Sequence, residues 1–112
     1  MLKLFWTDSK NNIYHLGNLY KIKNKYHFDI IQDGLRNAIR HGCFGIGSID
    51  ITKDKQESDK LFSFFMNRIP KENELKQEEL VEMYGIERYD EMELLRITGG
   101  RTFKDRYYLE EE

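Results

Sequence analysis

His41 and Cys43 stand two positions apart, and a histidine near a cysteine is the usual source of an activated thiolate. Positions i and i+2 do not face each other on a helix, and no acid is spaced to orient the imidazole. Burial is the ordinary fate of a lone cysteine. His15, His27, His41 and Cys43 together offer zinc donors, yet their separations follow no ligand spacing and they fall on three different elements. The glycines of Gly42-Cys43-Phe44-Gly45-Ile46-Gly47 invite a phosphate-cradling reading. The Lys-Ser/Thr of a P-loop is missing, and a tight turn that needs positive φ accounts for them. Lys21, Lys23, Lys25, Arg36 and Arg40, interleaved with Tyr20 and Tyr26, have the composition of a nucleic-acid surface, against an overall pI near 5.9. No kinase glycine-rich loop, His-Arg-Asp loop or Asp-Phe-Gly is present, so no catalytic residue, cofactor or metal is assigned.

What must position these residues is one domain, 1–112, a length that supports a single core without staples. One cysteine rules out an internal disulfide and fits a reducing cytoplasm. No signal peptide is indicated, and no apolar run approaches the length of a membrane span. Residues 1–40 carry seven Lys/Arg against three Asp/Glu, whereas 41–112 carry eleven against seventeen. The net charge of −2 therefore hides a basic half and an acidic half.

The pattern predicts an α+β fold: an N-terminal antiparallel β-meander, three short helices and a closing C-terminal strand. Strands are expected over 2–7, 13–22 and 26–31, the last alternating Tyr26, Phe28 and Ile30 with His27 and Asp29. The turn formers of 8–12 and a Lys23-Asn24-Lys25 loop join them, and Gly17 marks a bulge or a close backbone approach. A short helix capped by Asp33 or Gln32 runs to His41 with Leu35, Ala38 and Ile39 inward. Residues 52–56 read as a polar loop. The three helices follow: 58–67, buried on most sides through Phe62, Phe64, Phe65 and Met66 and stopped by Pro70; 73–84, with Asn73 as N-cap; and one from Asp90, with an Asp90-x-x-Glu93 capping box, ended by Gly99-Gly100. Residues 106–109 close the sheet.

Leu16-Gly17-Asn18-Leu19, then Tyr26-His27-Phe28, then Leu61-Phe62-Ser63-Phe64-Phe65-Met66-Asn67-Arg68-Ile69-Pro70, occur in an order that resembles the N-terminal subdomain of HipA-type serine/threonine kinases. The closing Gly99-Gly100-Arg101-Thr102-Phe103-Lys104-Asp105 is similar to the end of the related module found ahead of HIRAN domains. The likeness spans about residues 13–108 and stops short of a kinase core, so the family's ATP and metal residues have no counterpart here. It implies a free-standing, HipS-like subdomain: a binding protein that neutralises a separate HipA/HipT-like kinase, beside a HipB-like DNA-binding partner. The matched Asn67 and Arg68 and the loop residues Cys43, Phe44 and Ile46 are the expected partner contacts. Phe62, Phe65, Pro70, Gly99 and Gly100 are expected to be structural. The alternatives are a nucleic-acid-binding accessory domain and a phage-borne inhibitor of a host defence protein.

Overall fold

The computed structural model describes residues 1–69 and 77–112. The strands are β1 (Leu2–Thr7), β2 (Ile13–Ile22), β3 (Lys25–Ile30), β4 (Lys55–Ser58) and β5 (Tyr107–Glu111). They form a single sheet in the order β4-β3-β2-β1-β5, with every pairing antiparallel. Its helices are α1 (Gln32–Arg40), α2 (Ser63–Met66), α3 (Gln77–Tyr84) and α4 (Glu91–Thr98), giving the α+β class.

The meander follows from alternation and turn chemistry. Leu2, Leu4 and Trp6 of β1 face the core while Lys3, Phe5 and Thr7 face outward. Lys23 and Asn24 both have positive φ, as a two-residue hairpin turn with the right twist requires. The loop is thus shorter than expected, and Lys25 already belongs to β3. Between β1 and β2 the register slips: Leu4 faces Gly17 and Phe5 faces His15, so Leu16 is an extra residue, buried beside Gly17. A Cβ on Gly17 would stand 2.4 Å from the Phe28 ring and 2.6 Å from the Asp29 carbonyl. The bulge and the close approach expected there are both present. β5 returns to pair with β1, placing Leu109 opposite Leu4.

Three expectations are corrected. Residues 55–58 form β4 instead of a loop and the start of a helix. Their polar Lys-Gln-Glu-Ser sequence carries no strand signal, but Gln56 and Ser58 pair with Phe28 and Tyr26 along the otherwise open edge of β3. The following helix is consequently a single turn, α2. Of its own residues only Phe65 is buried, with Leu61 before it and Ile69 after it also in the core; Phe62 and Phe64 are half-buried and Met66 is exposed. The aromatic segment is thus covered on one side and not on most. Finally, α1 starts after Ile31 with no side-chain cap. Gln32 instead reaches the Ile51 carbonyl and Asp54, Asp33 pairs with Arg36, and Ile39 turns outward.

α4 begins as read, with the Asp90 carboxylate accepting from the backbone N–H groups of Met92 and Glu93. Glu93 turns to Arg96, so only half of the capping box forms. Gly99, with φ 71°, ends the helix. The expected Pro70 stop and Asn73 cap lie outside the described residues. The core joins the inner sheet face to the helices: Phe65 packs 5.4 Å from Phe28 and 5.2 Å from Phe64, ring centre to ring centre, and Leu94 and Leu95 are fully buried.

Candidate partner-binding groove

With Leu61, Phe65 and Ile69 committed to the core, α2 presents Phe64, Asn67 and Arg68 on its other sides. The Arg68 side chain is nevertheless buried. One guanidinium nitrogen donates to the Gly100 carbonyl at 3.0 Å, the other pairs with the Asp105 carboxylate, and Nε has no acceptor among the described residues. The guanidinium lies 4.4 Å from the Phe64 ring centre and 5.1 Å from that of Tyr107. Phe64 and Tyr107 meet edge to face at 5.1 Å.

This stack ties down two loops. The Tyr107 hydroxyl donates to the Gly45 carbonyl and lies 3.5 Å from Cys43 Sγ, which holds the 43–47 loop. Burial above all, with Cys43 and Asp105 adding and Arg68 opposing, raises the Tyr107 hydroxyl above its ordinary pKa, so it stays protonated as a donor. Arg68 holds the 100–105 loop at both ends through Gly100 and Asp105. Gly100 has φ 58°, and a Cβ there would lie 3.2 Å from Leu109. The Gly99 carbonyl also accepts the Leu109 N–H on the free side of β5.

Between α2 and these loops runs a groove of about 710 Å³, lined by Gly47, Ser48, Ser63, Phe64, Asn67 and Arg68 on one side and by residues 102–105 on the other. At its rim Phe103 is 97% exposed, and Phe44 on the neighbouring loop is fully exposed. Of the expected contacts, the groove brings together Asn67 and Arg68. Phe44 stands in solvent on the loop whose Gly47 lines the groove. Cys43 and Ile46 are buried, 3% and 0% exposed, on the inner side of the loop that carries Phe44. Phe103 and Lys104 belong to the closing motif but were not among the expected contacts. The available signal was an aromatic residue with no periodic apolar partner inside a turn-rich stretch.

The other candidate chemistries separate in space. Cys43 points at Gly45 and Tyr107, whereas His41 is exposed, bonded to the Asn37 carbonyl and stacked on Tyr14. Among the described residues no three His, Cys, Asp or Glu side chains are grouped to hold a metal ion. His15 and His27 share the outer sheet face without being neighbours; each sits against its own aromatic, Phe5 and Tyr20. The basic residues divide between the β2–β3 turn and α1, at opposite ends of β3. Lys25 and Arg36 lie beside carboxylates, and Lys21 lies over Tyr26. No described helix is long and apolar enough to cross a membrane. The chain matches no protein-family model and no curated protein.

Proposed function

We propose that this chain is a non-catalytic interaction module that docks on a HipA/HipT-like serine/threonine kinase body and restrains it. The observation that carries the docking role is the pair of solvent-standing phenylalanines, Phe44 and Phe103, on two loops tied to one buried stack. A phenylalanine held in water forgoes about 2–3 kcal/mol that burial would recover. Loops already fixed by Tyr107 and Arg68 lose little further freedom when that burial occurs against a partner. The kinase as target rests on the resemblance of the motifs around residues 16–28, 61–70 and 99–105. The nucleic-acid alternative draws less support, because its cations do not converge on one surface.

The test is co-expression of the tagged chain with the kinase-like protein encoded by the adjacent gene, followed by affinity capture and a growth assay. Co-purification together with relief of the kinase's toxicity is the expected result. Recovery of the chain alone, with the neighbour equally toxic in its presence, would reject the reading.

A further inference from the structure

We propose that one end of the sheet, built from the β1–β2 turn, residues 39–47 and the 101–106 loop, rests on an anionic lipid surface, with Phe44 and Phe103 entering its headgroup layer. This goes beyond the kinase reading and does not depend on it.

The three segments meet at that end. The Arg106 carbonyl accepts the Thr7 N–H, and the Arg106 guanidinium donates to the Asp8 carbonyl at 2.7 Å, which joins the 101–106 loop to the β1–β2 turn. His41 stacks on Tyr14 at 5.5 Å, and a Cβ on Gly42 would stand 3.9 Å from the Trp6 ring, which seats the end of α1 against the same hairpin. Tyr107 ties the Gly45 carbonyl to the start of β5.

The charge here is opposite to that of the chain as a whole. Residues 8–13, 39–47 and 101–106 contain five cations, Lys10, Arg40, Arg101, Lys104 and Arg106, and two carboxylates, in a chain of net charge −2. Both carboxylates are already satisfied, Asp8 by its own turn and Asp105 by Arg68. All five cations are exposed, and none has an ion-pair partner among the described residues. Set among them are Phe44 and Phe103 at the loop tips and Ile13 at 60% exposure. A negatively charged leaflet attracts such a cluster of cations, and apolar side chains beside them gain by leaving water for the acyl boundary. A fluid headgroup layer takes tips on separate loops without a shaped pocket, and cations on either face of the sheet can reach it when the sheet stands on its end.

The experiment is sedimentation of the full chain with vesicles of phosphatidylcholine alone or mixed equally with phosphatidylserine. Binding to the mixed vesicles only, weakening as salt rises, is expected. Lys104→Ala and Arg40→Ala should each reduce binding about fivefold, and Phe44→Ser and Phe103→Ser about tenfold each. Lys55→Ala, on β4 and outside this end, should leave it unchanged. These side chains are exposed, so thermal unfolding of the variants should match the parent. Trp6 is the chain's one tryptophan and is buried, so in Phe103→Trp a blue shift of the added indole on mixed vesicles reports entry of the tip. Absence of sedimentation, equal binding to both vesicles, or binding without a blue shift and indifferent to Phe44→Ser would overturn the proposal. So would a need for Arg40 and Lys104 in kinase capture by a chain that ignores vesicles, since an acidic protein surface would then cover this end. Vesicle binding without kinase capture would keep the lipid contact and remove the kinase; capture without vesicle binding would do the reverse.

Discussion

Two charged side chains are buried among the described residues, Asp8 and Arg68, and they are held in opposite ways. Asp8 collects its partners from its own turn: the backbone N–H groups of Lys10 and Asn12, the Asn12 amide and the Tyr14 hydroxyl, all at 2.8–3.1 Å and within six residues. Arg68 reaches residues 32 and 37 positions away and still leaves Nε without an acceptor among the described residues. The first charge closes a hairpin and is satisfied entirely by residues of that hairpin. The second joins α2 to the final loop and exists only once both have docked. A charge whose ligands are local is a turn element; one whose ligands are remote is a tether between regions, and here the tether lies beneath the proposed binding surface.

The widest test of that contrast is Arg68→Ala. It strands the Gly100 carbonyl and uncouples the 100–105 loop, and should cost about 2–3 kcal/mol in denaturant unfolding, below the range for a fully buried pair because Asp105 is partly solvated. A double-mutant cycle with Asp105→Ala should show strong coupling; additive losses would mean the tether is not one unit.

Next is Gly99→Val. A β-branched residue at φ 71° is strained, and its Cβ would approach the Leu109 carbonyl at 3.4 Å. About 1–2 kcal/mol should be lost, with hydrogen exchange increasing at Leu109 and not in the β1–β2 turn. An unaltered exchange pattern would break the link between this turn and the closing strand.

Asp8 should act on a different axis, pH. Desolvation opposes its ionisation, but the hydrogen bonds from Asn12, Tyr14 and Lys10 prevail and hold the carboxyl well below the usual range. Its folded-state value is depressed, so the unfolded chain binds more protons and the Asp8 contribution is fully present above the unfolded carboxylate value of about 4. That contribution is lost as pH falls through that value toward the folded one. Asp8→Asn should be less stable near neutrality and show a shallower loss on acidification. An acid limb identical to the parent's would show that the turn charge contributes nothing.

The smallest expected effect on stability is that of Phe44→Ser, within about 0.5 kcal/mol of the parent for so exposed a side chain. In the capture assay it should nonetheless reduce kinase recovery. Loss of fold instead of recovery would make Phe44 part of the scaffold.

How much was legible in the chain divides along the same line. The Asp8 turn was readable as a cluster of turn formers, the Asp90 cap as a helix start and Gly99 as a stop, because each depends on neighbours within a few residues. β4 was not readable: its polar residues become a strand through the open edge of β3. The groove was half readable. Asn67 and Arg68 were singled out by motif and do line it, whereas Phe103 and Lys104 became visible only with the 100–105 loop folded against α2. Phe44 separated from Cys43 and Ile46 only once burial was known, since an alternating loop does not say which of its faces is covered.

The sequence by itself determined the meander, the direction of its alternation and the start and stop of α4, all consequences of backbone preference and solvent partition over short spans. Tertiary structure alone decided which polar residues complete the sheet, which apolar residues stay in water, and that Arg68 meets Gly100 and Asp105. Those outcomes depend on which unpaired backbone edges and apolar surfaces are brought together from distant parts of the chain, and no local pattern encodes that.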